Sequence, residues 1–572
     1  MTDKRPKLYL NLYWHMHQPD YRDTLTGQYV LPWTYLHAIK DYTDMAWHLE
    51  ANPQARVTFN FVPVLLDQLE DYSDQFASGD IRDPLLALLA EEALDNISTE
   101  QCNLIIDSCF KSHHDKMLAP FAHYQRLHNI YKALQIEGSA AFNYLSAQYK
   151  ADLLVWYHLA WTGESIRRTN TFVQKLMEKG TQFTLEERRA LFRLIGELIS
   201  GLIPRYKALQ DQGRIELSTT PHYHPIVPLL LDFKSTRDAM PYAPLPHTSR
   251  YPGGKDRACA HIRQAQASHA VRFGKPATGM WPAEGAVSYA TLTLMAQHGL
   301  KWAATGEGVL THSLYKSFEG FGLPKQDYLY QPYRITDGQN DILCFFRDDG
   351  LSDKIGFEYS KLYASEAVSD FIRSLEHIQS ANTRTQCPVV SVILDGENAW
   401  EYYPYNAYYF LSELYAALVD HPNIEMATFS DILALPGNTV AMETLPEVAA
   451  GSWVYGSFST WIGSTEKNRG WDLLCDAKEC YDRVMQDGLL TAEEIAACER
   501  QLAICEGSDW FWWFGDYNSA MSVDSFDRLY RRNLSNLYHL LKLPVPEVLN
   551  RPISVGAGDP AVGGTMRRGQ EA

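Results

Sequence analysis

Apolar residues along this chain fall into short, β-rich runs separated by longer stretches with helical spacing. Runs at 8–14, 56–62, 213–217, 277–281, 300–304, 341–346 and 389–394 read as seven strands. The last is apolar at almost every position, as a strand buried on both faces must be. Polar residues gather where most of these runs stop. His15 and His17 follow the first, His222 and His224 the third and Glu284 the fourth. Arg347 and Asp353 follow the sixth, and Asp395 ends the seventh. Strands separated by helices imply parallel pairing, with a site at their carboxyl ends. The expected fold is α/β: a seven-stranded (β/α) barrel within residues 1–405, with an open doubly wound sheet as the alternative. No Gly-rich phosphate loop follows any run, which weakens a dinucleotide reading.

Residues 67–213 carry helical spacing throughout and read as an insertion between the second and third strands. Asp83-Pro84 supplies an N-cap with proline at the first helical position, and Ser98–Gln101 and Thr184–Glu187 are capping boxes. Residues 406–553 are again mostly helical in pattern and read as a C-terminal region, with a third capping box at Thr491–Glu494. This region holds two aromatic clusters, one containing Trp453 and Trp461, the other Trp510, Trp512 and Trp513. From Ser554 to the end the chain is Gly-rich without apolar periodicity, so 554–572 is expected to be a disordered tail.

Composition narrows the function. A formal charge of −18 and scattered Lys and Arg residues exclude an ordinary nucleic-acid surface. No run of 18 apolar residues and no apolar leader occurs, so neither a membrane partner nor secretion is expected. The nine cysteines lack CxxC spacing and read as reduced thiols of a cytoplasmic protein. The 14 Trp and 34 Tyr suit stacking on sugars, although large aromatic cores need them too.

Asp395 is a catalytic candidate by position. A carboxylate where a buried strand ends is costly to desolvate unless it is paired or used; the alternative is a turn or helix cap. Glu284 ends another strand, and a glycosidase needs two carboxyls across the scissile bond. A second chemistry is open at this level. His15, His17, His222 and His224 with nearby carboxylates suggest a divalent metal for hydrolysis or deacetylation, although HxH is a weak signal and no HExxH occurs. Trp281 and Trp400 lie beside the two carboxylates in sequence and are candidate sugar platforms.

Five short motifs resemble glycoside hydrolase family 57, a family of α-glucan-active amylases, amylopullulanases and 4-α-glucanotransferases. They are His17-Gln18-Pro19, the segment 213–217 with Glu216, the segment 281–284, the segment 394–397, and the region between Trp453 and Trp461, in family order along the chain. The resemblance implies a barrel followed by a helical region, a retaining mechanism without metal or other cofactor, Glu284 as nucleophile and Asp395 as acid/base. It also implies an aromatic from 453–461 in the cleft, without saying which. His15, His17, Glu216, Arg347 and Asp353 are then expected to hold sugar hydroxyls, and Trp281, Trp400, Trp453 and Trp461 to contact the sugar. The expected activity is an amylase-like cleavage of α-1,4 and, as an extension, α-1,6 bonds in an α-glucan or maltooligosaccharide. A transglycosylase on the same site is the main alternative, and a metal-dependent deacetylase or a non-catalytic glucan-binding protein stands behind it.

Overall fold

The computed structural model describes residues 7–558 apart from 320, 383, 386 and 438. Among the described residues ten strands are formed: β1 (Leu8–Met16), β2 (Val57–Phe61), β3 (Ile215–Ser218), β4 (Gly279–Met280), β5 (Trp302–Thr305), β6 (Tyr333–Thr336), β7 (Asp341–Phe346), β8 (Val389–Asp395), β9 (Ile424–Met426) and β10 (Glu443–Thr444). Each of the seven apolar runs is one of them. Every residue of β1 and β2 is buried, which is why these segments show no polar alternation.

The strands form two sheets. One has the order β3-β2-β1-β8, with β9 also pairing along the start of β1, and all its pairings are parallel. The other has the order β10-β6-β7-β5-β4. Only β6 and β7 run antiparallel. β6, β9 and β10 were not expected from the sequence. They are four, three and two residues long and gain their strand character from a neighbour rather than from apolar content. Two single parallel bridges, Thr219 with Met280 and Arg347 with Ser391, link the two sheets just past the ends of β3 and β7. The expected single closed sheet is therefore present as two five-stranded sheets touching at two points.

The segment between β2 and β3 is helical, as its pattern predicts, and is longest at Leu185–Asp211. Asp83 caps through Leu85 and Leu86, and the boxes at Ser98, Thr184 and Thr491 all form. The C-terminal region packs three long helices, Thr465–Asp487, Ala492–Cys505 and Ala520–Leu540, with the short helix Asp509–Trp513 between the last two. A buried ion cluster ties it to the sheet domain. Glu506 accepts from Tyr251, from both Arg257 Nε and Nη2, and from His261. Of the expected disordered tail, 559–572 lies outside the described residues. Residues 554–558 are held: Ser554 Oγ donates to Glu466 and accepts from the Gly515 N–H, and Gly558 bridges Ser519. Hydrogen bonds hold this piece, so apolar periodicity gave no sign of it.

Candidate active site

The carboxyl ends of the central strands gather one polar cluster. The register sets His15 beside both Asp395 and Asn60, and Asn60 beside Ser218. These residues form one side-chain level. A relay fixes His15 there: the Asn60 amide donates to His15 Nδ1 at 2.8 Å and Ser218 Oγ donates to Asn60 Oδ1 at 3.0 Å. Nδ1 is thus an acceptor, so the ring proton sits on Nε2. His17, two residues on, donates from Nε2 to Asp509 at 2.8 Å. His224 stacks on His17 at 3.8 Å between ring centres and hydrogen-bonds Ser508. Burial, and next the charge of His17, push the pKa values of His15 and His224 well down, so both rings stay neutral.

Asp395 closes β8. Burial raises its pKa to about 6, while the Asn398 amide at 3.0 Å and the charges of His17 and Arg347 pull the other way. A Cβ on Gly396 would lie 2.4 Å from Met16 Sδ, so a side chain there would have to displace that methionine. Glu284 sits in a turn after β4 with φ 58° and ψ 23°, left-handed for a residue with a side chain. Such a conformation costs on the order of 1–3 kcal/mol and is kept where the surroundings enforce it. Trp453 enforces it twice: its backbone N–H donates to Glu284 O at 3.2 Å and its indole N–H to Glu284 Oε2 at 2.9 Å. The Trp453 ring centre lies 5.6 Å from the Arg347 guanidinium and 5.1 Å from the Trp281 ring centre, the two indoles packed edge to face. Trp281 in turn lies 6.1 Å from the His15 ring. Side-chain contacts thus run from Glu284 through Trp453 and Trp281 to His15, the strand neighbour of Asp395.

Among the expected sugar contacts, His15, His17, Trp281 and Trp453 belong to this cluster. Trp281 is fully buried and forms a wall of it rather than an open platform. Arg347 is buried and already engaged, with Nε on Ile393 O, Nη1 on Asp349 and Nη2 on Asp353. Arg347 and Asp353, both expected to hold sugar hydroxyls, are ion-paired with each other. Around them Glu307, Asp348, Asp349 and Asp353 share two cations, Arg347 and Lys325. Carboxylates outnumber cations, and burial with this repulsion lifts Asp349 to about 7 despite its bond to Arg347.

Three further expected contacts lie outside this cluster. Glu216 lies a level deeper than Ser218, and its carboxylate is spent on Trp302 Nε1 and on the Ser430 hydroxyl and N–H. Trp400 is buried edge-on against Trp14 and donates to Gly396 O, so it braces the turn after Asp395 instead of facing a sugar. Trp461 is buried beside Trp512 in the C-terminal core.

Sequence reasoning missed three partners. Glu397 was visible within the motif but was given no role. It is buried, accepts from Gln18 at 2.8 Å, and burial together with the charge of Asp395 lifts its pKa well up. Ser508 and Asp509 come from the C-terminal region, and no local pattern marks them as neighbours of His224 and His17.

His17, His224 and Asp509 each offer a possible metal ligand atom within 4.8 Å of the others. The two rings are stacked with 20° between their planes. Their lone pairs lie in near-parallel planes and do not converge on one point as a tetrahedral site requires. The arrangement fits hydrogen bonding better than metal.

The fold has relatives of known structure. A branching enzyme from the hyperthermophilic archaeon Thermococcus kodakaraensis is 15% identical, with a TM-score of 0.54 over 93% of this chain and 90% of its own. A branching enzyme from Pyrococcus horikoshii gives 14% and 0.54 over 96% and 99%, and the α-amylase AmyC of Thermotoga maritima 14% and 0.53 over 96% of each chain. No curated protein matches in sequence. Among the described residues no helix is long and apolar enough to cross a membrane. The model of glycosyl hydrolase family 57 matches residues 11–446, a span that takes in Glu284, Asp395 and the strands beneath both, and the chain belongs to that family.

Proposed function

We propose that this enzyme cleaves α-glucosidic bonds of an α-glucan with retention of configuration, Glu284 acting as nucleophile and Asp395 as acid/base. The observation that carries the reading is the environment of Asp395, a strand-end carboxyl lifted to about 6 and so able to hold a proton near neutrality. Protonated Asp395 donates to the leaving glycosidic oxygen while the Glu284 carboxylate attacks the anomeric carbon. The C–O bond to the leaving sugar breaks as the bond to Glu284 forms. Asp395, now ionised, takes a proton from water or a sugar hydroxyl that attacks the glycosyl-enzyme. Trp453 keeps the nucleophile aimed through its N–H on Glu284 Oε2, and neutral His15 offers its Nε2–H to a substrate hydroxyl.

The sheet arrangement supports this reading. Taken with the two bridges, the parallel strands follow one another as β3-β2-β1-β8-β7-β5-β4 and back to β3. We read this as a seven-stranded barrel that narrows to single bridges at two seams, with Glu284 and Asp395 at the same end.

What resolves the intermediate defines the product. The amylase-like reading takes water. One observation favours a sugar instead: Trp281 and Trp453 form an apolar wall beside Glu284, which disfavours ordered water there. Incubation with one purified maltooligosaccharide separates the two. Hydrolysis gives only shorter chains, transfer gives longer ones as well, and no change in chain length contradicts the assigned chemistry.

A further inference from the structure

The loop that leaves Asp395 runs on into a cluster of exposed tyrosines. Tyr402, Tyr405 and Tyr409 are 36%, 54% and 45% exposed, large values for aromatic rings so close together. Tyr405 and Tyr409 stand edge to face at 5.6 Å, and Tyr408 packs against Tyr409 at 5.4 Å. The helical insertion supplies the other side. Arg168 places its guanidinium 4.3 Å from the Tyr408 ring, 5.0 Å from Tyr409 and 5.7 Å from Tyr405. It also donates to the Tyr409 hydroxyl at 3.0 Å and is held by Glu164 at 2.7 Å. The His113 ring stands edge-on to Tyr402 at 5.1 Å.

The backbone under this cluster is strained. Tyr405, Asn406 and Ala407 are left-handed in succession, with φ of 55°, 52° and 58°. Residues with side chains rarely take that conformation, and a run of three persists only if the surroundings impose it. Asn406 is the clamp: it is buried, donates to Asp44 at 2.9 Å and accepts from Lys40 at 3.0 Å. The turn buries Asn406 and Ala407 and leaves Tyr405 facing outward. Strain spent on presenting an exposed ring, among rings fixed at set angles by a cation, is the construction of a binding surface. Arg168 lies over one side of these rings, and the exposed apolar ring surface that remains, rimmed by hydroxyls, matches a pyranose with its apolar C–H faces and hydroxyl rim.

We propose that Tyr402, Tyr405 and Tyr409, with Arg168, form a platform on which an α-glucan chain rests outside the catalytic cleft. The proposal depends on the glucan-active reading of the site. Continuity names the occupant: the platform starts in the same loop that carries Asp395 and Glu397, so it meets the part of a long substrate that lies beyond the reacting bond. Under this proposal short maltooligosaccharides occupy the cleft alone.

The test compares glycogen binding with turnover of maltotetraose for the full chain, for a Tyr405→Ala/Tyr409→Ala variant and for a Tyr405→Phe/Tyr409→Phe variant. The alanine variant should bind glycogen at least about tenfold more weakly, as loss of two stacking faces implies. Its kcat/KM on maltotetraose should stay within about twofold of the parent, which also shows that it folds. The phenylalanine variant keeps the rings and should bind glycogen like the parent. An alanine variant that binds glycogen normally, with the parent active, overturns the platform alone. So does a phenylalanine variant as weak as the alanine one. A parent that neither binds glycogen nor turns over maltotetraose overturns the catalytic reading and the platform together.

Discussion

Asp395 is the residue on which the proposed chemistry turns. An acid must hold its proton when the substrate arrives, so kcat/KM should fall as pH rises through about 6, the value to which burial lifts this carboxyl. The Asn398 amide favours the ionised form by donating to it. Asn398→Ala should therefore raise the pKa of Asp395 and move the alkaline limb of the kcat/KM profile to higher pH. A limb that stays in place, or moves down, would assign that limb to another group. Trp453 gives a second measurement. Trp453→Phe keeps a ring against Arg347 and Trp281 but removes the N–H from Glu284. A hydrogen bond to a charged group is worth about 1.5–3 kcal/mol, so kcat should drop roughly 10- to 100-fold with little change in melting temperature. An unchanged kcat would mean that Glu284 is aimed without this bond. Both carboxyls stood out in the sequence because Asp395 ends a buried strand and Glu284 lies just past another, where an unused charge is costly. Their helpers did not. Glu397 needs Gln18 to show its place, and His17 needs Asp509 from the other end of the chain.

At the scale of elements, the apolar runs named the strands that carry the site because full burial on two faces leaves a dense local signal. β6, β9 and β10 escaped for the opposite reason: they are short, and pairing rather than composition makes them strands. Tryptophan could not be sorted by sequence at all. Trp400 and Trp461 were read as sugar contacts and are core, whereas Trp453 touches Glu284, and only packing separates the three. The join between the sheet domain and the C-terminal helices is a polar element, and it makes a stability prediction. Burial alone would raise the pKa of Glu506, but Arg257 and then His261 outweigh it and hold the group at about 2 against an ordinary 4.5. Its folded pKa is depressed, so its contribution is complete above about pH 4.5 and is lost as pH falls toward about 2. Breaking a buried pair of this kind costs roughly 3–5 kcal/mol. Glu506→Gln should lower the thermal midpoint at pH 7 and flatten its decline between pH 4.5 and 2 relative to the parent. Equal midpoints at pH 7 would show that the cluster contributes nothing.

For the whole molecule, function is a matter of what the fold brings together. Glu284 and Asp395 are far apart in sequence and stand at strand ends in different sheets. The C-terminal region matters as much as the strands, since it supplies Trp453 to Glu284, Asp509 to His17 and Ser508 to His224. An enzyme built this way should not divide into a working sheet domain and a dispensable helical one. In the proposed mechanism the two carboxyls have different roles, Glu284 making the covalent bond and Asp395 moving the proton. Azide rescue, with the product's anomeric configuration read by NMR, tests it most directly on an α-glucoside with an acidic phenol leaving group. In Asp395→Asn the glycosyl-enzyme still forms on Glu284 and lacks only its base, so azide should release a glycosyl azide of retained configuration. In Glu284→Gly azide should enter from the face the carboxylate left open and give the inverted product. The reverse assignment of products would exchange the two roles, and near-parental activity in both variants would contradict the site.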